Sequence, residues 1–183
     1  MSDEPSNAGD AALEAFAAEF RRYKQSAERV FEQLSDEQFF LRLNDDQNSV
    51  YVIVKHMAGN MRSRFTDFLT SDGEKPDRDR DGEFVEVVVP RGQILEMWER
   101  GWACVFGALA AMKGEDLSRT VTVRLERMTA ASAIARQVAH YAYHVGQIAL
   151  LGKHFKGKDW KYVTIPPGGS QAFNRGMGMN PAQ

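Results

Sequence analysis

Three of the four histidines in this chain are spaced so that they could share one metal ion. His140 and His144 lie four residues apart in the stretch QVAHYAYHVGQIALLGKHF, which has the pattern of a long helix. Residues at i and i+4 share one helical face, with Cβ atoms about 5–6 Å apart, so both imidazoles could reach one ion. His56, in YVIVKHMAGNM, lies in another helical segment and could supply a third nitrogen. Three neutral ligands leave a zinc-type ion an open coordination position, which is typical of catalytic sites.

The histidine pattern also has an ordinary explanation. His56 alone predicts little, because a single histidine in an apolar helix is commonly a hydrogen-bonded core residue. The pair lacks the glutamate that follows the first histidine of the zinc-protease motif, since Tyr141 stands there. The spacing alone therefore leaves both a shared metal site and structural histidines open. His154 lies about 15 Å beyond His144 along the helix axis and is expected to be a solvated residue at the helix end.

Two amide side chains are candidates for contacts that would support the histidines. Asn60 lies one helical turn from His56, and Gln147 lies three residues after His144. Either amide could hold a ligand imidazole, or a water at the site, by a hydrogen bond. Ordinary polar surface explains both residues equally well. Gly59, beside His56, indicates either close packing or a tolerated helix glycine. No residue can be assigned as catalytic from the sequence.

Helices must position these side chains, and four amphipathic segments are predicted. Apolar residues recur at steps of three and four, the helical period, in residues 13–34, 49–70, 90–112 and 129–155. Asp10, Ser49 and Thr129 are candidate N-caps, because their side-chain oxygens can accept hydrogen bonds from free amides of the first turn. Pro90 is expected at the first position of the third helix, and Gly114 is its expected C-cap.

The connections between the helices have a different character. EFVEVVV (83–89) could form a short strand, and RTVTVRL (119–125) alternates as a strand does. The second stretch could pair with the first or could cross the protein as an extended linker. Four helices with two longer connections predict an all-α fold, a four-helix bundle with long inter-helix loops. The expected organisation is a flexible N-terminus, a bundle and an irregular C-terminal tail, at residues 1–9, 10–156 and 157–183.

Composition and charge limit the domain number, the partners and the location that we expect for this protein. The chain has 183 residues, of which 43% are hydrophobic and 26% charged, with a formal net charge of −2. We therefore expect one globular domain with no nucleic-acid partner, since no basic patch is concentrated in the sequence. Cys104 is the single cysteine, and the acidic N-terminus lacks the apolar stretch of a signal peptide, so a cytoplasmic location is expected. No apolar run is long enough to span a membrane, and no membrane partner is expected.

The segment Asp77–Gly82 matches the opening of a calcium-binding EF-hand loop. The twelfth position of such a loop should be a glutamate, and here it is Val88. Arg78 and Arg80 inside the segment would also repel a bound cation. A solvated loop held by its own ion pairs is the better interpretation.

The chain resembles the DinB/YfiT-like superfamily of metalloenzymes over about residues 8–175. The resemblance rests on two stretches, VKHMAGNMRSRFTDFLTSDGEKPDRDRDGEF and RQVAHYAYHVGQIALLGK, and is nearest to a branch described as a domain of unknown function. It implies a four-helix bundle, frequent homodimers, and a divalent ion, zinc or nickel, on His56, His140 and His144. Relatives in the superfamily include bacillithiol S-transferases and mycothiol-dependent maleylpyruvate isomerase, so a low-molecular-weight thiol is a candidate cosubstrate.

Two hypotheses follow. The first is a metal-dependent enzyme, thiol S-transferase-like or hydrolase-like, in which the site activates a thiol or water against a small-molecule electrophile. The second is a non-catalytic metal-binding module in a homodimer, structural or sensory, favoured by the lack of an acid–base carboxylate near the histidines in sequence. A structural ion would add substantially to the folding free energy, whereas a catalytic one need not.

Overall fold

The computed structural model describes residues 8–178, and this part of the chain is mostly helical. Its elements are α1 (Ala8–Phe31), α2 (Val50–Phe65), α3 (Arg91–Ala110), β1 (Thr120–Val123), β2 (Glu126–Thr129), α4 (Ala130–Lys156) and α5 (Ser170–Gly176). Short 3-10 turns lie at Glu37–Phe39, Gly82–Phe84, Gly114–Ser118 and Gly157–Asp159. No helix within residues 8–178 combines the length and apolarity needed to cross a membrane.

The four long helices share one aromatic core. Helix α2 packs against α3 and α4, and α1 packs against α4 and α3. Each helix contributes one buried ring to the centre: Phe20, Phe65, Trp102 and Tyr141. The Phe20 ring centroid lies 6.0 Å from those of Phe65 and Trp102, and 5.6 Å from that of Tyr141. Closely packed aromatic rings leave little room for one helix to shift along another. This cluster therefore fixes the axial position of α2 relative to α4, the two helices that carry the histidines.

Two predicted N-caps are confirmed. The Ser49 hydroxyl accepts a hydrogen bond from the Val52 amide at 3.3 Å, and the Thr129 hydroxyl accepts one from the Ser132 amide at 3.1 Å. Helix α2 ends earlier than the expected residue 70, at Phe65. Asp67 has a φ of +48°, which no helix accommodates. Helix α4 runs one residue beyond its predicted end and stops at Gly157, whose φ of +52° suits glycine.

The predicted strand at 83–89 is wrong. Gly82–Phe84 forms a 3-10 turn there, and β1 pairs instead with β2, antiparallel, with Val123 opposite Glu126. The two-residue turn between the strands places Arg124 and Leu125 at φ values of +54° and +66°, the left-handed region that such hairpin turns require. Asp72 from a distant loop stabilises this turn, because its carboxylate accepts hydrogen bonds from the amides of both residues. That contact has no local sequence signal.

Other boundaries differ from those expected. Asp10 lies inside α1, and its carboxylate accepts a hydrogen bond from the Gly114 amide at 2.8 Å. Gly114 is therefore not the C-cap of α3, which ends at Ala110, and Pro90 precedes that helix instead of opening it. Of the expected flexible N-terminus, residues 1–7 lie outside the described residues and the next two are helical. The C-terminal tail expected to be irregular, 157–183, includes helix α5, and residues 179–183 lie outside the part of the chain that the structure describes.

Candidate metal centre

The structure brings the three predicted histidines together. His56 projects from α2, and His140 and His144 project from successive turns of α4. The Nε2 atom of His140 lies 3.4 Å from Nε2 of His56 and 3.0 Å from Nε2 of His144. One nitrogen from each residue falls in a group whose members all lie within 4.8 Å of one another. Three imidazole nitrogens at this separation can ligate a single divalent ion after small side-chain adjustments.

Glu83 fixes the orientation of His56. Its Oε2 atom lies 2.9 Å from His56 Nδ1, and because a carboxylate can only accept, Nδ1 carries the proton. In the tautomer that carries its proton on Nδ1, Nε2 of His56 has the lone pair and faces the other two histidines. Arg78 in turn holds Glu83 with two parallel hydrogen bonds, of 2.8 and 2.9 Å. Burial opposes ionisation of Glu83, but the bonds from His56 and Arg78 outweigh it and lower the carboxyl pKa below its ordinary value.

Gly59 provides the space for this carboxylate. A Cβ atom at position 59 would lie 2.1 Å from Oε1 and 2.7 Å from Cδ of Glu83, far inside van der Waals contact. Any larger residue at this position of α2 would therefore displace the Glu83 side chain. Of the two explanations left open by the sequence, close packing applies, although against a loop and not against another helix.

Gln147 supports His144 in the same way. Its Oε1 atom accepts a hydrogen bond from His144 Nδ1 at 2.8 Å, which again leaves Nε2 as the lone-pair nitrogen. Asn60 has a different partner from the one its spacing indicated. Its Oδ1 atom accepts the Tyr141 hydroxyl at 3.0 Å, and no hydrogen bond from Asn60 reaches an imidazole among the residues described. Asn60 thereby ties α2 to α4 beside the histidines.

The surroundings of the two α4 histidines disfavour their protonation. Burial, followed by repulsion from His144, His56 and neighbouring arginines, lowers the pKa of His140 to about 3. Burial also lowers the pKa of His144, against the opposing hydrogen bond to Gln147. His140 and His144 therefore present unprotonated nitrogen donors near neutral pH. Such a donor set can ligate a divalent transition-metal ion.

The cluster opens onto a cavity of about 270 Å³. His56 and His140 line one part of its wall, and Asn60 lies beside them. A small molecule in this cavity would therefore be in direct reach of two of the three imidazoles. His154 is exposed near the end of α4 and takes no part in the cluster, as its spacing predicted.

The sequence did not identify Glu83 or Arg78 as site residues. Both belong to the segment between α2 and α3, 27 and 22 residues from His56, and neither lies in a helix that carries a histidine. The one local signal was Gly59, a glycine in the interior of a helix. The acidic residues of the same segment have other roles, since Asp77 pairs with Arg62 at 3.0 Å and Asp79 accepts the Gly82 amide at 2.9 Å. Across residues 8–178, the three histidines are the only group of potential metal ligands.

These features define a mostly helical protein with a three-histidine cluster beside a small cavity. The chain belongs to the family described as "Protein of unknown function (DUF1572)", whose sequence profile matches residues 7–169. No curated protein matches the chain.

Proposed function

We propose that this protein is a divalent-metal-dependent enzyme whose ion is held by Nε2 of His56, His140 and His144. The observation that carries the proposal is that these nitrogens converge and that two of the three histidines, His56 and His140, line a cavity. An ion with a purely structural role needs no adjoining space for another molecule, whereas a catalytic ion does. The proposed substrate is a small molecule, and the proposed ion is zinc or nickel, two of the metals that imidazole donors suit.

The chain's own residues prepare the site for such an ion. Glu83 and Gln147 engage Nδ1 of His56 and of His144, so that Nε2 of each ring is the nitrogen directed at the proposed ion. Arg78 keeps Glu83 ionised and in place. The ion, when bound, would lower the pKa of a thiol or water that joins it, and so supply a nucleophile near neutral pH. Asn60, at the cavity wall, would orient the reacting molecule through its amide nitrogen.

The proposal places the chain in the DinB/YfiT-like superfamily, with a four-helix bundle of that type. Support comes from the packing of four long helices around one aromatic core and from the arrangement of one histidine on α2 and two on α4. Thiol S-transfer and hydrolysis are the two reaction classes proposed. A homodimer and a cytoplasmic location are part of the same proposal, and light scattering of the purified chain tests the first of these.

Metal content tests the proposed site directly. Purified, untagged protein is reconstituted with zinc, nickel or manganese, desalted and measured by inductively coupled plasma mass spectrometry. We expect about one equivalent per chain in the wild type and its loss in His144→Ala. His154→Ala is the matched control, because it removes an exposed histidine from the same helix outside the cluster and should retain the metal. Equal metal content in His144→Ala and wild type would refute the site.

A non-catalytic metal-binding module, structural or sensory, is the second candidate. It is favoured by the state of Glu83, whose carboxylate is occupied by His56 and Arg78 and has a lowered pKa, which makes it a poor proton acceptor. Chelation separates the two candidates. A structural ion should raise the melting temperature strongly when bound. The enzyme hypothesis instead expects metal-dependent conjugation of glutathione, bacillithiol or mycothiol to a test electrophile, or metal-dependent ester hydrolysis.

A further inference from the structure

The cavity beside the histidines has a strongly cationic lining. Five guanidinium groups face it, together with a single carboxylate, that of Glu126. The arginines are contributed by α2, the segment that follows it, the hairpin turn and α4: Arg64, Arg78, Arg80, Arg124 and Arg136. The carboxylates of Glu74 and Glu83 pair with some of these arginines but do not themselves line the cavity. A small ligand therefore meets more positive than negative groups.

Arg80 has the most freedom to bind a ligand. It forms no ion pair within residues 8–178, and its guanidinium instead lies over the Phe84 ring, 5.3 Å from the centroid. Arg136 forms one ion pair, with Glu126 at 3.1 Å, and its side chain is more than half exposed. Either guanidinium can present two N–H groups to the two oxygens of an oxyanion without breaking a buried contact.

Gln137 is an independent indication of a ligand. It is 6% exposed and lines the cavity, and its Oε1 atom is buried with no hydrogen-bond partner among the described residues. A buried acceptor left unpaired destabilises the free protein, so such groups are rare unless a ligand or water completes them. Gln137 lies one turn before His140 on α4, and Asn60, also on the cavity wall, has its oxygen but not its amide nitrogen occupied by Tyr141. A ligand that carries both a donor and an acceptor would satisfy both amides.

We propose that this cavity binds a small organic acid, whose carboxylate or phosphate is held by the arginines and whose hydroxyl or N–H group donates to Gln137. The inference deepens the proposed function, because it rests on the same site and names the substrate class. The anionic end binds at the arginine side, and the rest of the molecule lies against His56 and His140. The cavity volume of about 270 Å³ is near the lower end of small-molecule sites, which limits the ligand to a compact molecule.

Calorimetric titration at constant ionic strength tests this inference with three probes: lactate, glycerol 3-phosphate and glycerol. The first two distinguish a carboxylate from a phosphate, and glycerol offers hydroxyl groups without charge. Each is titrated into the full chain in metal-free and metal-loaded form. We expect one of the two anions to bind both forms at millimolar concentration and glycerol to bind neither. If neither anion binds, the inference is overturned, whereas binding by the metal-free form supports it even if the metal proposal fails.

Charge-removing variants locate the binding site. Arg80→Gln should weaken anion binding about tenfold, the effect of losing one charge-assisted hydrogen bond. Arg136→Gln should weaken it less, because Glu126 already engages that residue. Arg22→Gln is the matched control, since it removes the same charge from an exposed position on α1 and should leave binding unchanged. Equal affinities for the Arg80→Gln and Arg22→Gln variants would overturn the inference. So would binding that requires metal and disappears in His144→Ala, because the anion would then ligate the ion.

Gln137→Leu gives a test in which stability and binding change in opposite directions. Leucine fills a similar volume and removes the unpaired buried amide, so the melting temperature of the free protein should rise by about 2–4 °C. Anion affinity should fall at the same time, because the ligand loses its acceptor. A lower melting temperature would mean that the Gln137 amide is satisfied within the free protein, and would contradict its assignment to the ligand.

Discussion

Replacing Gly59 by alanine should weaken metal binding without touching any proposed ligand. The new Cβ atom would lie 2.1 Å from Glu83 Oε1, whereas ordinary contact begins at 3.4 Å, so the carboxylate must retreat by about 1.3 Å. Oε1 is the atom that Arg78 holds, so we expect its displacement to move the whole carboxylate and to break the neighbouring 2.9 Å hydrogen bond between Oε2 and His56. His56 then loses the partner that holds its tautomer. Loss of such a partner lowers metal affinity about 10–100-fold.

The effect on stability should be similar to or smaller than the effect on metal binding, where a 10–100-fold loss corresponds to about 1.4–2.8 kcal/mol. Alanine is favoured over glycine in a helix by about 0.8–1 kcal/mol, which stabilises the variant. The disturbed charge-assisted bonds around Glu83 cost about 1.5–3 kcal/mol, so we expect the free energy of unfolding to fall by about 0.5–2 kcal/mol. Gly107→Ala is the matched control. It makes the same change in an exposed turn of α3, where no atom lies within 4 Å of the new Cβ, and should stabilise the fold by about 0.8–1 kcal/mol with metal affinity unchanged.

Three measurements decide this prediction. Competition with a chromophoric zinc chelator gives the metal affinity, urea unfolding gives the stability, and ¹⁵N chemical shifts of His56 in the metal-free protein report its tautomer. If Gly59 acts only through Glu83, the Gly59→Ala change should cause no further loss of affinity in a Glu83→Ala background. Wild-type affinity in a folded Gly59→Ala protein, with the His56 tautomer unchanged, would refute the argument that Glu83 supports this ligand.

Three further predictions concern stability. Leu125→Gly should stabilise the fold by about 1 kcal/mol in urea unfolding, because a leucine at φ +66° is strained and this side chain is 89% exposed; a destabilised variant would contradict that account. Tyr141→Phe should cost about 1–3 kcal/mol, since it leaves the buried Asn60 oxygen unpaired, and an unchanged midpoint would mean that water replaces the hydroxyl. Burial raises the pKa of the Glu74 carboxyl, but hydrogen bonds from two arginine side chains outweigh it, so the pKa is lower in the folded protein than in the unfolded chain. The stability that ionised Glu74 contributes is therefore complete above pH 4.5, the ordinary pKa of the group, and is lost as the pH falls through the pKa of the folded state. Glu74→Gln should therefore lose less stability than wild type in acid titration, and parallel acid profiles would contradict the prediction.

The helices were predictable because their signals are local. Periodicity located all four long helices, and the hydroxyl caps at Ser49 and Thr129 fixed two of their starts. The helical repeat also predicted that His140 and His144, which are four residues apart, would lie on one face of a helix. The proximity of His56 was not a local property, and it depends on how α2 and α4 pack around the aromatic core.

Neither the hairpin turn nor the loop contacts were predictable, because each depends on a residue that is distant in sequence. The turn at Arg124 and Leu125 lacks the glycine or asparagine that usually indicates a left-handed turn. It is stabilised instead by Asp72, a residue more than fifty positions earlier in the chain. Likewise, the partner of His56 is Glu83, in a segment whose β-branched residues indicated a strand. In each case the contact comes from a carboxylate in the loop between α2 and α3: Asp72 stabilises the backbone of the hairpin turn, and Glu83 orients the His56 side chain.

The loop between α2 and α3 contributes residues both to the proposed metal site and to the proposed ligand-binding site. The helices supply the three imidazole nitrogens, and their spacing is set by helix geometry and core packing. The loop supplies Glu83 and Arg78, which determine the tautomer of one imidazole, and also Arg80, which faces the cavity. Substitutions in the loop could therefore change the ligand that is bound while the histidine cluster stays intact. We expect Arg80→Gln to alter anion binding at constant metal content, and Gly59→Ala to alter metal affinity while the arginines of the cavity remain in place.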